Sequence, residues 1–164
     1  MSVRTQTWIL ESLWLAFAAL LAAALTLPAL FRVGGYHYLP EIAGCAFAFV
    51  TLGRLVFFSE QAPWMRPRFT KGVVPIACIP LILFAVLTLN NVQNLVDAEG
   101  ADALFFAARG PSALRWATYL RDMAVFVCAG TVVAAVVLPI VLLVRLWRQV
   151  KTQLRAGQRH PTQP

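Results

Sequence analysis

Residues 123–144, MAVFVCAGTVVAAVVLPIVLLV, run for 22 positions without a charged side chain. At about 1.5 Å of rise per residue this stretch extends roughly 33 Å as a helix, enough to cross a hydrocarbon core of about 30 Å. Three further stretches of similar character precede it, at about 8–30, 41–58 and 73–95, with few or no charges near their middles. Of 164 residues 60% are hydrophobic and 13% are charged, and the mean hydropathy is +0.71. That balance lies outside the range of soluble domains. The expected fold is an all-α integral membrane protein: a four-transmembrane-helix bundle with short loops and a basic amphipathic C-terminal extension. Residues 1–150 form the transmembrane domain in this reading and residues 151–164 a basic cytoplasmic tail. The segments between spans are too short to form a separate soluble domain.

The charges give an orientation. Arg4 precedes the first span, Arg66, Arg68 and Lys71 separate the second from the third, and Arg145, Arg148, Lys151, Arg155 and Arg159 follow the fourth. With four crossings these nine cations fall on one side, against Arg32, Arg109, Arg115 and Arg121 on the other. Lys and Arg near span ends collect on the cytoplasmic side, so both termini are expected there, in a bacterial inner or plasma membrane. The net charge of +7 sits at span ends and not on a folded polar surface. Anionic lipid is therefore the expected partner and nucleic acid is not. Arg66, Arg68, Lys71, Arg148, Lys151 and Arg155 are the candidate headgroup contacts. Arg145, Arg148, Thr152, Arg155 and Arg159 recur at helical steps, with Trp147, Val150 and Leu154 on another face. This pattern predicts that span four continues as a basic helix along the cytoplasmic surface.

Arg4 and the alanine-rich run after it resemble a secretory leader, but the run is too long for one and lacks a small-x-small site; it reads as an uncleaved first helix. Within the spans, Ala18/Ala22, Gly44/Ala48 and Gly130/Ala134 are small-x-x-x-small pairs of the kind that let helices approach closely. They predict packing within the chain, in a homo-oligomer or in a larger membrane complex. Pro139 predicts a kink in span four. Tyr36, Tyr38, Trp64, Trp116, Tyr119 and Trp147 lie near span ends and read as aromatic belts. Residues 101–109, ADALFFAAR, group Leu104, Phe105 and Phe106 between charges and read as a short amphipathic turn at headgroup level.

Chemistry is harder to find. The cysteines Cys45, Cys78 and Cys128 fall in three different spans, with no C-x-x-C pair, and read as buried small apolar residues. The histidines, His37 and His160, lie outside the spans, so a haem held between helices is not expected. No G-x-S-x-G, H-E-x-x-H or Walker A motif occurs. No cofactor, metal site or catalytic residue is expected. The one suggestive cluster is at the outer end of span three, where Asn90, Asn94 and Asp97 form a polar stripe at i, i+4 and i+7. With His37 and Glu41 they are the candidate mouth for an ion or a small polar ligand; the plainer reading is that the helix leaves the hydrocarbon near Asn90. Arg54 lies about one turn inside the interface. Its guanidinium is expected to snorkel to the headgroups, the alternative being a buried pair with Glu11.

The leading functional expectation is a non-enzymatic accessory or scaffold subunit of a membrane assembly. A small transporter or channel component with a path past Asn90, Asn94 and Asp97 comes second. A membrane enzyme acting on a lipid-like substrate through His37, Glu41 and Asp122 comes third, since nothing in the sequence sets the geometry of those three residues.

Overall fold

The computed structural model describes residues 3–33, 36–58, 68–105 and 111–158. It is all-helical. α1 spans Val3–Val33, α2 Leu39–Phe58, α3 Arg68–Glu99 and α4 Pro111–Gln158. A 3-10 turn, Ala101–Leu104, follows α3. All four α-helices are long and apolar enough to cross a membrane.

Local chemistry sets several of the helix ends. Pro111 opens α4 and Pro40 stands second in α2, in the first turn where a missing N–H costs no hydrogen bond. Gly100 ends α3 with φ 94°, its N–H donating to the Val96 carbonyl at 3.0 Å. Such a left-handed residue past a helix end is what glycine accommodates without strain. Tyr38 holds φ 61° just before α2. Left-handed backbone costs a non-glycine residue roughly 1–2 kcal/mol, so the surrounding contacts must hold this turn in place. Pro28, Pro75, Pro80 and Pro139 all lie inside helices, and α4 is continuous through Pro139.

α4 is the central helix. It packs along both α2 and α3 and touches α1 only briefly, while α1 leans on α2 and α2 meets α3 over a short stretch. The neighbour relations give the order α1, α2, α4, α3. Packing is inside-out relative to a soluble bundle. The buried face of α1 carries Glu11, Ala18, Ala22 and Thr26, while Leu10, Leu13, Phe17, Leu20 and Phe31 point outward. Small inward residues let helix axes approach closely. Of the three small-residue pairs, Ala18/Ala22 is buried and Gly130/Ala134 is largely enclosed, whereas Gly44 is exposed. The core divides into two clusters along the helices. One, towards the α1–α2 connection, contains Ile42, Cys45, Val92, Leu120 and Cys128; the other, towards the end of α4, contains Leu52, Leu55, Cys78, Leu138 and Leu142.

α4 has 48 residues, about 72 Å at helical rise and more than twice a hydrocarbon core. The basic extension is thus no separate element but the unbroken end of the central helix.

Candidate functional site

Three polar places interrupt this apolar scaffold, one at each level. The first is the end where α1 turns into α2. The His37 N–H donates to the Leu104 carbonyl at 2.8 Å, and Tyr36 pairs with Phe105 in an isolated antiparallel bridge. Tyr36 (3% exposed), Leu104 and Phe105 are buried together in the core cluster. Of the segment expected to lie as an amphipathic turn at headgroup level, residues 106–109 lie outside the described residues, and Leu104 and Phe105 turn inward, the 3-10 turn packing on α3 and α4. Tyr36 likewise belongs to the core and not to an exposed belt. Its phenol has no hydrogen-bond partner. Burial, helped by the neighbouring Tyr119, pushes it far above the ordinary tyrosine range. Tyr119 itself donates to the Leu25 carbonyl at 3.3 Å.

The residues of the candidate mouth do not converge. Ala85, Thr88 and Val92 of α3 are buried, and Asn90, Asn94 and Asp97 are exposed on roughly the opposite face. His37 is exposed and makes further contacts of its own. Only Glu41, in the first turn of α2, turns partly inward: it is half-buried and its Oε2 is shut off from solvent without a partner.

The second place lies one turn further along α2. Cys45 of α2 and Cys128 of α4 are wholly buried in the same core cluster. The Thr131 hydroxyl lies between the Val127 carbonyl, at 2.7 Å, and the Cys45 carbonyl, at 2.9 Å. Two buried cysteines therefore lie where α2 and α4 are tied by the Thr131 hydroxyl. Sequence spacing gave no hint of it, since a C-x-x-C search looks within one helical turn and these cysteines come from different helices. The third, Cys78, is buried in the other cluster.

The third place fastens α1. Arg54 of α2 binds Glu11 of α1 through both terminal nitrogens, at 2.5 and 2.7 Å, with side chains only 9% and 7% exposed. Arg54 therefore does not snorkel. A bidentate carboxylate inside the helix contact satisfies the fork of the guanidinium better than a reach past Leu55 and Phe58 to distant headgroups. The guanidinium carbon also stands 5.4 Å from the centre of the Trp14 ring. Trp14 and Arg54, with Leu10, Leu13, Phe17 and Phe58, line an apolar groove of about 690 Å³ along α1 and α2. The Trp14 indole nitrogen is buried without a partner.

Of the candidate lipid contacts, Arg148 and Lys151 are exposed on the end of α4. Nearby, Arg145 is half-buried, with a terminal nitrogen 3.5 Å from the Val56 carbonyl. Arg66 and the side chains of Arg68, Lys71 and Arg155 lie outside the described residues. Among the described residues no group of three or more His, Cys, Asp or Glu side chains comes together to hold a metal ion. No family model, curated protein or solved structure matches the chain.

Proposed function

We propose that the protein is an integral membrane protein of a bacterial inner or plasma membrane, with four crossings and both termini cytoplasmic, acting as a non-enzymatic accessory or scaffold subunit of a membrane assembly. The observation that carries this reading is the mounting of α1. The helix is fastened to α2 at a fixed rotation by the buried Glu11–Arg54 pair and by small residues, and it presents Leu13, Phe17, Leu20 and Phe31 along its outward side. A peripheral helix held in one orientation offers a defined apolar surface to a neighbouring membrane helix, in a second copy or another subunit. Anionic lipid headgroups are the further partners, contacted by Arg148 and Lys151 and by Arg66, Arg68, Lys71 and Arg155; nucleic acid is not one.

The experiment is purification from membranes in mild detergent, with identification of what co-purifies and measurement of oligomeric state. Cysteine-accessibility labelling of a cysteine-free variant is run alongside. A stable complex or defined oligomer that dissociates on Leu13→Ala/Phe17→Ala is expected, with a probe at position 100 reacting only from outside the cytoplasm. A monomer with no partner speaks against the scaffold reading, and cytoplasmic labelling at position 100 against the orientation.

A small transporter or channel component is the second reading, favoured by the buried, unpartnered Oε2 of Glu41. Buried polar atoms without partners mark places where water or an ion can bind. Glu41→Gln separates the readings: it abolishes transport of an ion through Glu41 and leaves a scaffold assembled.

A further inference from the structure

We propose that the outward face of α4 is a parallel dimerisation seam, along which two copies of this chain pair through a heptad stripe that starts within the membrane and runs on into the cytoplasm. The inference rests on the insertion in one orientation proposed above, and it uses a different surface from that of α1.

The exposed side of α4 repeats with a period of seven. Phe126, Val133, Ile140 and Trp147 occupy the first position of the repeat, a, and Ala129, Val136, Leu143 and Val150 the fourth, d. All eight are exposed, whereas Val127, Ala135, Leu138 and Leu142 on the other side of the helix are buried in the core clusters. Leu143 and Trp147, 69% and 73% exposed, are the most exposed of the large apolar side chains described on α4.

Within the bilayer lipid covers such a face, but the stripe does not stop there. The charge-free run ends at Val144. At helical rise Val150 stands roughly 9 Å beyond it and Leu154, next in the repeat, roughly 15 Å, whereas the headgroup layer is only about 5–8 Å thick. α4 is unbroken to Gln158, so its end projects from the bilayer and does not fold back to lay these residues on lipid. Arg145, Arg148, Lys151 and Arg155 share that stretch, and none of them falls on an a or d position. An apolar seam flanked by charges in water is the pattern of a helix that pairs with another helix.

The partner is a second copy. Copies inserted the same way round stand parallel, so each a and d position meets its own counterpart across a two-fold axis along the membrane normal. β-branched Val133 and Ile140 at a, with Leu143 at d, are side chains that favour two strands. Ala129 lets the axes close up within the membrane. The cations flank the seam and do not meet across it.

The test uses the full-length chain in native membranes, in a cysteine-free background that carries single reporters. Oxidation with copper phenanthroline is expected to join Leu143→Cys, and likewise Val150→Cys, into disulfide dimers that dithiothreitol reverses. Thr152, also exposed, lies off the stripe; Thr152→Cys should link roughly tenfold more slowly, because its position points away from a paired helix. Leu143→Cys/Val150→Cys should still stop at dimers, since both links join the same two chains. Trp147→Lys/Val150→Lys should abolish the Leu143→Cys link and leave insertion and melting temperature unchanged, since both side chains are exposed. Leu13→Ala/Phe17→Ala should leave the link in place. Light scattering of the unsubstituted protein in mild detergent checks the pairing without any reporter, and two chains per particle are expected. Equal linking of Val150→Cys and Thr152→Cys, a ladder beyond dimers, a link to a different protein or a monomer in detergent overturns the proposal. Labelling of position 100 from both sides of the same membranes would overturn the single orientation and the parallel pairing together; one orientation without the link overturns the dimer alone.

Discussion

Arg54 and Glu11, 43 positions apart in sequence, meet as a bidentate ion pair buried between α2 and α1. Two charges lie where all else is apolar, and each is tolerable only because of the other. Removing one partner of a buried pair leaves an uncompensated charge and typically costs about 3–5 kcal/mol, whereas replacing both by apolar residues is often neutral or stabilising. Glu11→Leu is expected to destabilise the protein by about 3 kcal/mol. Glu11→Leu/Arg54→Leu should recover most of that loss. Thermal unfolding in detergent, arranged as a double-mutant cycle, measures both; equal losses from the single and double variants would mean that the pair is not coupled.

Gly130 of α4 leaves room for the Phe49 ring of α2. A Cβ built there meets the Phe49 ring at 2.7 and 2.8 Å, and that ring already stands edge-on to Phe126 with centroids 5.6 Å apart. Gly130→Ala therefore forces Phe49 out of place and is expected to cost about 1–3 kcal/mol. Phe49→Leu in the same chain should restore part of it by vacating the space. Gly53 has nothing within 4 Å of such a Cβ, so Gly53→Ala should be neutral or stabilising by about 0.5–1 kcal/mol. Denaturant titration of the three variants ranks them.

The Tyr36 phenol is buried without a partner, and its ionisation is displaced upward by that burial. A group whose pKa is higher in the folded than in the unfolded protein contributes stability below its unfolded value, about 10 for tyrosine, and that contribution fades as pH rises towards the folded value. The contact between the α1–α2 connection and Leu104–Phe105 should therefore loosen above about pH 10. Tyr36→Phe is expected to stabilise the protein by about 1 kcal/mol at neutral pH, since an unsatisfied hydroxyl is removed. It should also flatten the alkaline decline. Melting temperature against pH for the two proteins reads out both effects, and a parallel decline in the variant would assign the alkaline loss to other groups.

Asn90 and Asn94 are exposed on the outward face of α3. Replacing both by leucine lengthens the apolar part of the helix by about one turn and should be absorbed by a small change of tilt. Expression, insertion and melting temperature are expected to match the parent. Loss of an assembly partner from the purified variant would instead identify this stripe as an interhelical contact.

Most of the scaffold was legible without coordinates because it depends on local length and composition. Each helix announces itself as a run of apolar residues long enough to cross a bilayer, but the helices run on past those stretches, α3 over Arg68–Glu99 and α4 over Pro111–Gln158. Which side of each helix faces its neighbours was not legible, because a helix that is apolar all round has no amphipathic phase to reveal its inward face. The Asn90–Asn94–Asp97 stripe did have a phase, but polarity alone does not tell a cavity lining from an outward surface.

The sequence by itself determined the helices, their order and the distribution of charge about their ends, since these follow from properties summed over neighbouring residues. Tertiary structure alone decided that Glu11 receives Arg54, that the Cys45 carbonyl receives Thr131 and that Leu104 and Phe105 fold inward beside Tyr36. Those pairings depend on helix rotation, spatial order and register. In this chain they are set by a few small residues, by the hydrogen bond of Thr131 to the Cys45 carbonyl and by one ion pair, whose partners lie too far apart in sequence for any local pattern to connect them.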